Sequence, residues 1–308
     1  MEVKGIAPRH ALERKSLIWI TGKGGVGKST VAAAAAIAAE RLGRRVVLLG
    51  IRSQGRMPLL FGKPAGNGPV MLTPSIEWRN LLPETSLETY GLLKLRFRMV
   101  YRAVFEHRLV KRFLRVVPAL AELLMLGHVA HLVENAPEVL HIVDAPSAGH
   151  GWQMLQAPRQ VLESVAAGPL RQVASWMQEI MADGTRSSIW LVLVPEELPV
   201  NEALEFHERL SRQLGLPVEA LVANRVLAEP APQAVFGCLS ALEEDAELGP
   251  LARTAARCEQ RIRMQQGYLD RLRAGLDLTL FELPEMPSRN VKDRLDELSK
   301  MMEGRAPA

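Results

Sequence analysis

Two kinds of apolar pattern alternate along the chain. Short, mostly uncharged runs rich in branched side chains recur at Leu17–Ile20, Val46–Ile51, Val139–Val143, Ser188–Val194, Val218–Val222 and Leu278–Leu283. Runs of this length that are apolar throughout predict strands buried on both faces, as in a parallel sheet. Between them lie longer stretches at helical spacing: Val31–Glu40, Ala119–Val133, Val161–Ala166, Leu170–Met181, one or two helices within 243–275, and Val291–Met302. Leu42-Gly43-Arg44-Arg45 ends the first of these with a glycine and cations, which suit a helix C-terminus. Strand, helix and strand from 17 to 51 therefore make one βαβ unit. The whole alternation predicts an α/β fold, a doubly wound and mostly parallel sheet with helices on both faces.

Three regions stand outside that rhythm. Residues 1–15 and 303–308 are expected to be loose tails around a single domain at 16–302. Residues 63–86, rich in Pro, Gly, Asn and Thr, read as a loop region, and from Leu87 to Asn135 the pattern is helical. A helical insertion is therefore expected at about 63–135. Within it Leu93, Phe97, Val100 and Val104 share one helix face while Lys94, Arg98 and Arg102 share another; Leu109, Phe113 and Val116 likewise oppose Arg108, Arg112 and Arg115.

Charge changes the picture only there. The chain's net charge is +4, yet Gly91–Val117 alone holds eight Lys or Arg against one acid, Glu106. Such a face is either simply solvated or a surface for an acidic partner, an amphipathic client helix or an anionic membrane. One basic patch without a recognition module gives no support to specific nucleic-acid binding. Hydrophobic residues at 48% and charged residues at 23% describe a soluble globular protein. No uncharged apolar run approaches the roughly 20 residues that span a bilayer, and the N-terminus lacks the apolar core of a secretory signal. A cytoplasmic location is expected. Cys238 and Cys258 form no paired motif, so neither a zinc clip nor a redox pair is indicated.

The candidate chemistry sits between the first strand and the first helix. Gly22-Lys23-Gly24-Gly25-Val26-Gly27-Lys28-Ser29-Thr30 has the spacing G-x-x-x-x-G-K-[ST] of a phosphate-binding loop. Its glycines let backbone N–H groups turn inward on an anion at the start of a helix, where the dipole also favours negative charge. Gly24 to Thr30 would hold the phosphates of ATP or ADP, Lys28 reaching the β and γ phosphates and Ser29 facing Mg²⁺. Asp144, an acid ending an apolar strand, has the form of the second element on the metal side.

Lys23 and the run after Asp144 carry a resemblance. K-G-G-V-G-K-S-T resembles the deviant Walker A loop of the partitioning ATPases, the nitrogenase iron protein, and the arsenical-pump and tail-anchored-protein-targeting ATPases. Asp144-Ala145-Pro146-Ser147-Ala148-Gly149-His150, followed by Met154-Leu155-Gln156-Ala157-Pro158, resembles the second nucleotide switch of the arsenical-pump (ArsA-type) branch in particular. The chain is identified by these motifs as similar to that branch. The resemblance implies a P-loop ATPase fold with an inserted helical subdomain, and a dimer, homodimer or heterodimer with a paralogue, in which Lys23 crosses to the partner's nucleotide. It implies catalytic roles for Lys23 and Asp144, metal binding by Ser29 and Asp144, and contact of Asn224 with adenine. It places Glu202 at the start of a helix and Pro284 in a C-terminal loop near the base.

One element departs from the pattern. The family's first switch carries an aspartate that orients the attacking water, and alignment on the preceding strand and on Phe61 puts Arg52 there. A guanidinium cannot accept a proton from water. Gln54 is a second residue in that stretch able to position one. Two expectations stay open: an ATP-hydrolysing dimeric switch with a basic client surface, or a nucleotide-binding subunit that does not hydrolyse and regulates a catalytic paralogue. A membrane-positioning ATPase is a further alternative, and arsenite binding is disfavoured without a thiolate cluster.

Overall fold

The computed structural model describes residues 8–86, 118–228, 245, 247–286 and 290–304. Eight strands form one sheet: β1 (Leu17–Gly22), β2 (Val46–Ile51), β3 (Val70–Met71), β4 (Ile76–Leu81), β5 (Leu140–Ser147), β6 (Ser187–Leu193), β7 (Val218–Val226) and β8 (Thr279–Pro284). Their order is β3-β4-β2-β5-β1-β6-β7-β8, and every pairing is parallel except β3 with β4. The expected α/β sheet is therefore observed. All six residues of β1 are buried. Leu17 and Trp19 face one core while Ile18 and Ile20 face the other, as the two-residue period of a strand requires.

Helices cover both faces. On one side α1 (Pro8–Arg14), α2 (Lys28–Arg41), α3 (Met57–Leu60) and, near the C-terminus, α10 (Val291–Met302) pack on the sheet; α4 (Pro83–Ser86) follows β4. On the other lie α5 (Pro118–Asn135), α6 (Ala148–Ser164), α7 (Pro169–Ala182), α8 (Glu197–Glu208) and α9 (Gly249–Gly275). In α2 seven alanines and Val31 are buried, so the helix is apolar nearly all round. That suits an element enclosed between the sheet and α10. Alanine also gives it the best intrinsic helix propensity.

Three expectations need correction. The stretch before residue 16 is not wholly loose: α1 buries Ala11 and Leu12, and the Arg44 guanidinium donates to the carbonyls of Leu12, Glu13, Lys15 and Glu138. Seven residues with few apolar positions carry little periodic signal, and tertiary contact decides their state. The 63–86 stretch is not all loop, because β4 enters the sheet beside β2 and pairs with β3. Its sequence Ile-Glu-Trp-Arg-Asn-Leu alternates, with Ile76, Trp78 and Asn80 buried, so any helical insertion begins beyond residue 81. Glu303, placed in the C-terminal tail, is also buried, and Arg41 donates to its carboxylate. The basic helices expected within Gly91–Val117 lie outside the described residues.

Candidate nucleotide site

The phosphate loop is shaped by close approach. Gly22 ends β1 at φ +150°, and a Cβ there would stand 2.1 Å from the Val192 carbonyl oxygen of β6. Gly27, at φ +95°, precedes α2, and a Cβ there would stand 2.3 Å from Nδ2 of Asn224. Neither position tolerates a side chain without displacement. Gly27 at the N-cap supplies no side chain to cap α2, which leaves the helix's first N–H groups for an anion at the loop.

Three candidate side chains converge at this helix end. Lys28 folds back over the loop and donates through Nζ to the carbonyls of Lys23, at 2.9 Å, and Gly22, at 3.2 Å. Burial lowers its pKa, and the charge of Asp144 opposes that shift. Ser29 Oγ donates to Asp144 Oδ2 at 2.6 Å. Asp144 stands on β5 level with Ile20 of β1 and Gly50 of β2, so two strand pairings fix its place. Burial raises its pKa to about 6, against the opposing influence of the Ser29 hydrogen bond and the Lys28 charge. A hydroxyl and a carboxylate are hard oxygen donors of the kind Mg²⁺ prefers, and their contact puts them at one point. The donor set fits that ion.

Two hollows border the loop. One, of about 450 Å³, is lined by Lys28, Ser29, Asp144, Arg52, Glu122 and His150 among others. The second, of about 550 Å³, is bordered by Lys23, Gly24, Val26, Arg225, Arg261 and Glu285 among others. Lys23 Nζ is ion-paired with Glu202 Oε1 at 2.6 Å, both side chains being partly exposed. Asn224, 5% exposed, donates through Nδ2 to the Val26 carbonyl at 2.8 Å and so braces the loop itself. Pro284 ends β8 opposite Val226; its neighbour Glu285, rather than Pro284, borders the second hollow. Gly25 and Thr30 complete the loop and the first turn of α2.

Arg52 follows β2 as expected, but with φ at +47° it occupies the left-handed region. That conformation costs a non-glycine residue on the order of 1 kcal/mol and persists where surrounding contacts hold it. Its Nη1 lies 3.2 Å from Oε1 of Glu122 on α5. Sequence reasoning missed Glu122. The available signal was that Glu122 is the sole acid in the apolar run Pro118–Val133.

A parallel sheet whose central strand runs through a glycine loop into a helix bearing Lys28 and Ser29, with an acid on the adjacent strand, defines a P-loop nucleotide-binding protein. The family model of the anion-transporting ATPases matches residues 15–172 and 170–248. The chain belongs to this ArsA-type family. ATPase BagA of Mycobacterium tuberculosis (strain ATCC 25618 / H37Rv) is 27% identical over 218 residues, which cover 67% of this chain and 64% of that protein. The arsenical pump-driving ATPase of Escherichia coli is 26% identical over 234 residues, covering 69% and 40% respectively. The protein of the same name from Acidiphilium multivorum is 27% identical over 237 residues, with the same two shares. The chain thus matches a little under two thirds of the mycobacterial relative and well under half of the pump ATPases. Among the described residues no helix is long and apolar enough to cross a membrane.

Proposed function

We propose that this chain is an ATP-dependent dimeric switch. The observation that carries the reading is the convergence of Lys28, Ser29 and Asp144 at the uncapped start of α2. In this reading the loop N–H groups and Lys28 hold the triphosphate of ATP. Ser29 and Asp144 hold Mg²⁺, which would neutralise charge on the phosphate oxygens. Lys28 exchanges two backbone carbonyls for phosphate oxygens, a stronger charge-assisted contact. Lys23 leaves Glu202 to reach the nucleotide of a second subunit, identical or paralogous. Asn224 would act on the base side through the loop it braces, and Pro284 through its neighbour Glu285. The basic run Gly91–Val117 would be the surface for a client protein or an anionic membrane, with the protein working in the cytoplasm.

Sedimentation velocity with Mg²⁺ and either ADP or a non-hydrolysable ATP analogue tests this reading. It expects a dimer with the ATP analogue only, lost in Lys23→Ala. A sedimentation coefficient indifferent to nucleotide would sink it. A second reading, a subunit that binds but does not hydrolyse ATP, is favoured by the Arg52 guanidinium in the hollow beside Lys28. Steady-state turnover measured against Lys28→Ala separates the two: turnover above that background removes the second reading.

A further inference from the structure

We propose that Arg52 is a γ-phosphate-reading cation and that Glu122 is its resting counter-ion, so that ATP but not ADP draws Arg52 away from α5. The proposal rests on the ATP reading above and adds to it the group that tells the two nucleotides apart.

The backbone around Arg52 is held by hydrogen bonds while its side chain is half exposed. The Arg52 N–H donates to the Leu81 carbonyl at 2.9 Å. The next residue, Ser53, is held at both ends by one side chain: its N–H donates to Asn80 Oδ1 at 3.0 Å, and its carbonyl accepts from Asn80 Nδ2 at 2.9 Å. These bonds to β4 explain how a non-glycine residue stays in the left-handed region. They also set the direction of the side chain, since Gly50 pairs in register with Asp144 and Arg52 follows two residues later at the carboxyl edge of the sheet. There it lines the same hollow as Lys28, Ser29 and Asp144.

The resting pair is lopsided. The Arg52 side chain is 46% exposed and that of Glu122 only 10%. Among the described residues Arg52 makes this one ion pair, through Nη1, so most of its five N–H donors remain uncommitted. A guanidinium fork engages a phosphate through two parallel bonds, which a single contact to one carboxylate oxygen does not match. On the other side, Oε2 of Glu122 is shielded from solvent and has no hydrogen-bond partner among the described residues. The carboxylate is thus only half satisfied even at rest. Loss of Arg52 to a phosphate would leave it buried without its cation, which opposes ATP binding and favours movement of α5. In sequence α5 directly follows the basic run Gly91–Val117. ADP, lacking the γ phosphate, has no group to compete with Glu122.

The two partners should therefore act with opposite sign. Affinities for ATP and ADP, each with Mg²⁺, are measured by titration calorimetry on the full chain, its Arg52→Ala and Glu122→Gln variants and the double variant, with thermal melting as a folding control. Arg52→Ala is expected to weaken ATP roughly tenfold, the scale of one charge-assisted contact, and to change ADP less than about twofold. Glu122→Gln is expected to tighten ATP by about threefold, with ADP unchanged, because the competitor and its stranded charge are both removed. The double variant should follow Arg52→Ala. Equal effects of Arg52→Ala on the two nucleotides, or weaker ATP binding in Glu122→Gln, would overturn the proposal. Should Glu122→Gln fail to fold, the half-exposed Arg52→Ala and Arg52→Lys still decide it through the ATP-to-ADP ratio. Absence of binding of either nucleotide to the unmodified chain overturns the ATP reading as well, and is distinct from tight binding that ignores Arg52.

Discussion

The floor and the wall of one hollow are built by different rules. Its floor, Lys28, Ser29 and Asp144, comes from a contiguous loop and the strand beside it, and its polar groups are mutually satisfied. Its wall, Arg52 and Glu122, joins segments seventy positions apart in a contact that, among the described residues, leaves one oxygen unpartnered. A self-satisfied floor can wait for any phosphate chain. A half-satisfied wall holds a resting arrangement that a suitable anion can displace. On the proposed reading, capture of a nucleotide belongs to the floor and discrimination to the wall.

The comparison breaks most readily at the floor. Lys28→Ala should reduce ATP and ADP affinity alike by on the order of a hundredfold, about 2.7 kcal/mol, as read by calorimetry. A loss confined to ATP would shift discrimination from the wall to the floor. Gly27→Ala comes next, because its Cβ would meet Asn224 Nδ2 at 2.3 Å on a left-handed backbone. Destabilisation of roughly 2 kcal/mol is expected in chemical denaturation. Combining it with Asn224→Ala should recover only the steric share.

The pH dependence of the floor is sharper than its size suggests. The folded pKa of Asp144 is raised to about 6 from 3.8, so between those values the folded state binds the proton more strongly. Stability from this group is therefore present at low pH and falls as pH rises through about 4 to 6. His128 and His141, whose pKa values burial lowers to about 4, act with the opposite sign: they destabilise as pH falls from 6.5 toward 4. The contribution of Asp144 is accordingly the difference between the unmodified chain and Asp144→Asn. At pH 7 without nucleotide the substitution should stabilise by roughly 1–2 kcal/mol, while making ATP affinity indifferent to Mg²⁺. A flat difference between pH 4 and 7 would contradict the assigned burial. The smallest effect is at Lys23, whose ion pair with Glu202 is partly exposed on both sides. Lys23→Ala should change chain stability by less than about 1 kcal/mol in chemical denaturation.

How far the sequence was legible follows the same division. The strand, loop and helix from Leu17 to Arg41 are adjacent in sequence, so apolar pattern and glycine spacing were enough to place them. Asp144 was legible because it follows the apolar, buried first half of β5, although the strand itself runs on to Ser147. Strand β4 was not, since its alternating charges follow a stretch of Pro, Gly and Thr, and only its pairing with β2 shows that Trp78 faces the core. Helix α1 was missed for a related reason: Leu12 is buried by contacts that no local period encodes. Arg52 could be placed from the strand before it, but nothing local says which side chain it meets. A lone acid such as Glu122 in an apolar helix signals a partner without naming it.

The central claim is that the head of α2 is an ATP site, and the most direct test is calorimetric titration of ATP with Mg²⁺ into the unmodified chain and into Lys28→Ala. The account predicts saturable binding at one site per chain, lost or weakened about a hundredfold in the variant. No binding to the unmodified chain, or equal binding to both, would contradict it.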